Sequence, residues 1–163
     1  MKYRLDNERS TEKFGACLSP LLGRQLLVTL AGELGAGKTT LVRGLLRAAG
    51  HAGLVKSPTF SLVELYELNS NVVYHFDLYR LTDPEELEYI GMRDYLSANA
   101  ICVVEWPEKA ANILPMGDIH IMIDRVGRGR EVRIQAQTEC GQKAMQDLSI
   151  KECWSTVLEE ASL

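Results

Sequence analysis

Gly32-Glu33-Leu34-Gly35-Ala36-Gly37-Lys38-Thr39 decides the reading of this chain. The pattern G-x-x-x-x-G-K-[ST] lets the backbone wrap a phosphate chain with inward-pointing N–H groups, while the lysine supplies positive charge and the hydroxyl reaches Mg²⁺. Its surroundings fit. The apolar run of residues 26–31 ends at Gly32, and a helical pattern with Leu41, Leu45, Leu46 and Ala49 on one face starts near Lys38 and stops at Gly50. Strand, glycine loop and helix in that order predict a nucleotide site that includes Gly35, Ala36, Gly37, Lys38, Thr39 and Thr40, with ATP and Mg²⁺ as the ligands.

Working outward, the β-rich stretches 60–66 and 72–76, joined by the turn-forming residues 67–71, predict an antiparallel hairpin. Thr82-Asp83-Pro84-Glu85-Glu86 is a helix start, and a short helix is expected over 84–90 with Gly91 as its stop. Residues 101–104 read as a strand buried on both faces. Alternation over 119–124 and 132–136 predicts two more strands flanking the basic turn 125–130, and residues 142–160 are expected to form a helix. The whole, residues 1–163, is expected to be one α/β domain of three layers, a P-loop NTPase fold with a mixed, mainly parallel sheet.

Such an enzyme needs an acid near the metal at the end of a strand beside the phosphate loop. Asp77 ends the run 72–76 and Glu105 ends the run 101–104, so one can hold Mg²⁺ while the other orients water. Ser57 and Thr59, in Lys56-Ser57-Pro58-Thr59, read either as a segment that senses the γ-phosphate or as a proline-fixed loop that only leads into the strand. No Asn-Lys-x-Asp or Thr-Lys-x-Asp segment is present, which favours ATP over GTP. His51, His75 and His120 are isolated in the sequence and read as packing or surface residues, and Trp106 reads as core, placed where it can also stack on a ligand or partner.

Composition narrows the class. A 163-residue chain with 46% hydrophobic residues is the size of one domain. Its 18 Lys+Arg against 22 Asp+Glu give a net charge of −4, which argues against direct, tight binding of a nucleic acid backbone. No window approaches the ~20 apolar residues of a membrane span and the N-terminus lacks a signal-peptide core, so a cytoplasmic protein is expected. Cys17, Cys102, Cys140 and Cys153 are far apart, with no CxxC pair, and read as reduced thiols.

The stretches GELGAGKTT, SPTFSLVELY, HFDLYRL and VEWPE, with DPEELEYIGMRDYL between them, resemble the TsaE family, the small ATPase of the bacterial tRNA threonylcarbamoyladenosine machinery. The likeness covers roughly residues 5–136. It implies a role in installing threonylcarbamoyl on the adenosine beside the anticodon of tRNAs that read codons beginning with A. It also implies that a heterodimer of TsaD and TsaB performs the transfer, that the ATPase binds that dimer and supports repeated turnover, and that tRNA is met only through the complex. Carried over residue by residue, Thr39 and Glu105 match the Mg²⁺ ligands, Asp77 the acid of hydrolysis, Ser57 and Thr59 the first switch, and Thr11 and Arg130 the adenine and ribose surroundings. The rival from the residues alone is a small-molecule kinase, with Arg125, Arg128, Arg130 and Arg133 as an arginine-rich lid.

Overall fold

Two elements precede anything the apolar pattern foretells. In the computed structural model, which describes residues 1–69, 71–148 and 152–155, Lys2–Leu5 forms β1 and Glu8–Ala16 forms α1. The helix starts on a reciprocal cap. Asn7 Oδ1 accepts from the Ser10 amide at 2.9 Å, and Ser10 Oγ accepts from the Asn7 amide at 3.0 Å. That exchange satisfies amides that a helix start leaves without intrahelical partners.

The phosphate-loop unit follows as read: Leu26–Ala31 is β2 and Lys38–Ala48 is α2. Val63–Leu68 and Asn71–Asp77 form the hairpin β3 and β4, and two short helices, α3 (Glu86–Tyr89) and α4 (Met92–Ser97), lead to β5 (Ile101–Glu105). β6 (Ile119–Val126) and β7 (Gly129–Ala136) form a second hairpin, and α5 (Glu139–Gln146) comes after them.

The seven strands make one sheet in the order β1-β7-β6-β2-β5-β4-β3. Its centre, β6, β2, β5 and β4, is parallel, while β7 and β3 run against their neighbours and β1, antiparallel to β7, returns to the central direction. Every residue of β2 and β5 is buried, as strands covered on both faces require. One face packs Val28, Leu30, Val73 and Val103 against Leu41, Val42 and Leu45 of α2, with Phe14 of α1 in the same core. The other packs Leu27, Phe76 and Val104 against Leu87, Met92 and Ala110. The expected three-layer α/β architecture is therefore present.

Helices α1 and α2 touch backbone to backbone. A Cβ added at Gly15 would lie 2.0 Å from the Leu41 carbonyl oxygen, and one at Gly44 would lie 1.9 Å from that of Glu12. This contact carries Thr11, on α1, to the phosphate loop at the start of α2.

Several expectations need correction. The first hairpin strand begins at Val63 and not at residue 60, because Leu62 takes a left-handed φ of 63° and its amide bonds the Pro58 carbonyl at 2.8 Å, closing a turn that leaves Phe60 exposed. The helix expected over 84–90 covers only Glu86–Tyr89; Gly91, at φ 76°, ends it, and α4 restarts at once. In the basic turn, Arg125 pairs with Arg130 and Val126 with Gly129 in the ladder, so only Gly127 and Arg128 form its tip. The tail helix starts earlier than expected, capped by Thr138 Oγ1 on the Gly141 amide at 3.0 Å, and ends at Gln146; of the rest of the predicted span, 149–151 and 156–160 lie outside the described residues.

The reading of four reduced thiols is also corrected. Cys17 and Cys153 form a disulfide across a sequence separation of 136, while Cys102 is a buried thiol and Cys140 an exposed one. Beside the bridge, Trp154 packs edge-on against Phe14 with ring centroids 5.5 Å apart. The pairing depends on the tail folding back onto α1, which no local spacing of cysteines encodes. No helix among the described residues is long and apolar enough to cross a membrane.

Candidate nucleotide site

The chain leaves the buried end of β2 at Gly32 and re-enters regular structure at Lys38, the first residue of α2. Gly37, which precedes it, has a φ of 113°, a conformation L side chains rarely adopt, and Thr11 Cγ2 lies 3.3 Å from where its Cβ would be. The loop amides and the first turn of α2 thus border an open cleft of about 550 Å³. Gly35, Gly37, Lys38, Thr39 and Thr40 line it from the loop and helix, Asp77 and Glu105 from the strand ends, Ser57 and Thr59 from the segment before β3, and Thr11 and Arg130 from beside Gly37. Of the residues expected at the Mg²⁺–ATP site, Ala36 alone does not line the cleft: it is fully buried, and its carbonyl accepts from Arg130 Nε at 3.0 Å. A larger cavity, about 840 Å³, opens beside His120 and Met122 and includes none of Lys38, Thr39, Asp77 or Glu105.

Lys38 is 4% exposed. Its Nζ donates to the Gly32 carbonyl at 2.6 Å and the Glu33 carbonyl at 3.0 Å, and sits 3.9 Å from the centroid of the Trp106 ring. Burial pushes its ammonium below the usual lysine range, with Glu105, Asp77 and Glu108 opposing that shift. Trp106 holds a left-handed φ of 60° where the chain leaves β5, and it lines both the cleft and the larger cavity.

Asp77 and Glu105 are paired in register at the ends of β4 and β5, and both are buried. Their partners differ. Asp77 Oδ2 accepts from Ser57 Oγ and, at 2.8 Å, from Thr59 Oγ1, and its Oδ1 accepts from the Tyr79 amide at 2.9 Å. Glu105 Oε1 accepts from Thr39 Oγ1 at 2.9 Å and lies 2.9 Å from His75 Nε2. Sequence reading passed over His75 as a packing or surface residue, yet it is completely buried and bonded to a site carboxylate. The signal was the alternation His75-Phe76-Asp77, which puts the histidine on the face of β4 that carries Asp77.

The arginines of the second hairpin are used by the loop. Arg125 Nη2 donates to the Gly35 carbonyl at 2.9 Å, beside the bond from Arg130 to Ala36, while Arg133 pairs with Asp124. Thr39 and Glu105 supply hard oxygen donors of the kind Mg²⁺ takes, within hydrogen-bond distance of each other. Among the described residues no three His, Cys, Asp or Glu side chains cluster to hold a metal by themselves. An ion at Thr39 and Glu105 would therefore complete its shell with phosphate oxygens and water.

The chain is similar to known proteins over most of its length. The model of the family described as threonylcarbamoyl adenosine biosynthesis protein TsaE matches residues 5–132. The tRNA threonylcarbamoyladenosine biosynthesis protein TsaE of Haemophilus influenzae is 45% identical over 150 residues, 89% of this chain and 95% of its own. The protein of the same name from Bacillus subtilis is 33% identical over 127 residues, 78% of this chain and 79% of its own. Among solved structures, the crystal structure of YdiB from Bacillus subtilis superposes with a TM-score of 0.78 at 27% identity, covering 93% of this chain and 95% of the other.

Proposed function

The chain belongs to the TsaE family, and from that premise we propose that it is a Mg²⁺-dependent ATPase of tRNA threonylcarbamoyladenosine biosynthesis. It works in the cytoplasm on the TsaB–TsaD heterodimer, hydrolyses ATP weakly by itself, and supports repeated modification of the adenosine next to the anticodon in tRNAs reading A-starting codons. The tRNA is met through the complex, in keeping with the net charge of −4.

The observation that carries this reading is the convergence of Lys38, Thr39, Asp77 and Glu105 on one glycine-loop cleft. The loop amides and Lys38 Nζ bind the phosphates, and Lys38 exchanges its carbonyl partners for phosphate oxygens. Thr39 Oγ1 and Glu105 would hold the metal. Mg²⁺ bound there would neutralise charge on the phosphate oxygens as the terminal bond breaks. Asp77 accepts a hydrogen bond from the attacking water and orients it in line with the leaving group. Ser57 and Thr59, both bonded to Asp77, couple the loop that carries them to the reacting end. Thr11 and Arg130 flank the nucleoside.

Arg125 and Arg130 each donate to a phosphate-loop carbonyl, which favours this reading over a kinase with an arginine lid. The test is ATP hydrolysis and tRNA modification with this protein alone, and then with TsaB, TsaD and substrate tRNA. Multiple-turnover modification should require this protein and disappear with Lys38→Ala. Modification that proceeds equally without it overturns the role.

A further inference from the structure

Glu105 Oε1 is approached by two groups, Thr39 Oγ1 and His75 Nε2, each at 2.9 Å. The His75 side chain is 0% exposed and that of Glu105 is 3% exposed. The other ring nitrogen, Nδ1, is buried without a hydrogen-bond partner among the described residues. Together these facts select the tautomer. A proton on Nδ1 would bury an unsatisfied donor and turn the Nε2 lone pair toward a carboxylate oxygen, whereas a proton on Nε2 leaves only an acceptor lone pair unused.

Backbone geometry explains why such a donor is needed. Asp77 and Glu105 start from paired positions on adjacent strands, which lie ~4.8 Å apart, so two carboxylates of like charge project from neighbouring points toward one cleft. Val73, His75 and Asp77 alternate onto one face of β4. His75 sits two residues back from the end of the strand, on the buried side of both acids. A hydrogen bond from there draws Glu105 inward and beside Thr39, while Asp77 is held by different groups, Ser57, Thr59 and the Tyr79 amide.

We infer that His75 is a positioning residue: its Nε2–H fixes the Glu105 carboxylate beside Thr39 and so commits Glu105, and not Asp77, to the metal. The inference rests on the Mg²⁺–ATP reading above. Groups that orient metal ligands from behind typically change metal affinity 10- to 100-fold when removed. A histidine kept only for its volume would have no such effect.

The test compares wild type, His75→Phe, which fills the space without a donor, and His75→Gln, whose amide NH₂ replaces the Nε2–H. ATP affinity is measured calorimetrically with excess Mg²⁺ and with a chelator. His75→Phe should bind metal-free ATP as wild type does but lose roughly 10-fold or more of the gain that Mg²⁺ brings, and His75→Gln should recover most of it. An undiminished Mg²⁺ gain in folded His75→Phe overturns the inference and leaves the ATPase reading intact. No Mg²⁺ gain in wild type overturns both. Should His75→Phe fail to fold, ¹⁵N NMR of the wild-type ring decides: a proton on Nε2, protected from exchange, supports the inference, and a proton on Nδ1 overturns it.

Discussion

Asp77 and Glu105 stand opposite each other in register at the ends of β4 and β5, yet among the described residues they share no hydrogen-bond partner. Separate partner sets imply separate jobs, and substitutions should divide accordingly. Asp77→Asn is expected to keep Mg²⁺–ATP affinity within about 3-fold while slowing single-turnover hydrolysis about 100-fold or more, the size of effect that follows loss of a group acting on the reacting proton. Glu105→Gln is expected to weaken the Mg²⁺-dependent part of binding. Equal effects of both substitutions on both quantities would sink the division.

Gly44 lies where α2 meets α1, with its would-be Cβ 1.9 Å from the Glu12 carbonyl oxygen. Backbone cannot yield as a side-chain tip can, so Gly44→Val must push the helices apart. Chemical denaturation should report a loss of about 1–3 kcal/mol, in the range of overpacked cores. ATP affinity should fall as well, because Thr11 moves with α1; a variant as stable as wild type would contradict the close packing.

The Cys102 thiol, 1% exposed, is pushed up by burial from 9.0 to about 12. Between those values the unfolded chain loses the thiol proton and the folded chain keeps it, so the unfolded state binds fewer protons and stability falls as pH rises. The contribution is about 1.4 kcal/mol per pH unit above pH 9. Urea titrations at pH 8.5 and pH 10.5 should show this slope in wild type and a shallower one in Cys102→Ala. In the native protein at pH 8, iodoacetamide should label Cys140 and spare Cys102.

The Cys17–Cys153 bridge closes a loop of most of the chain. A cross-link restricts the unfolded ensemble, and native disulfides typically contribute about 2–4 kcal/mol. Thermal melts with and without dithiothreitol should differ for wild type, and Cys153→Ser should melt at the reduced midpoint whether or not reductant is present. A melting point indifferent to reductant in both proteins would show that the bridge does not hold the tail.

Much of the site was legible because its parts are local. The phosphate loop is one run of eight residues between an apolar strand and an amphipathic helix, and Asp77 and Glu105 both end apolar runs that had to be strands. The α1 unit was not legible: its cap is Asn7 with Ser10, and its tight contact depends on two glycines 29 positions apart in sequence, Gly15 and Gly44. Strand β3 was misplaced by three residues because Leu62 adopts a left-handed turn that its β-forming side chain does not advertise.

By itself the sequence determined the strand–glycine loop–helix unit, the three-layer α/β class and the acids available to the site, since each follows from periodicity or from residue chemistry within a short window. Tertiary structure alone decided what meets what. It set Thr11 and Arg130, which the chain offered only through a family resemblance, beside the loop, paired Cys17 with Cys153, and set His75 behind Glu105 instead of leaving it among packing residues. The physical reason is that these contacts are made by strand order and helix approach, which join residues far apart in the chain and leave no local pattern behind.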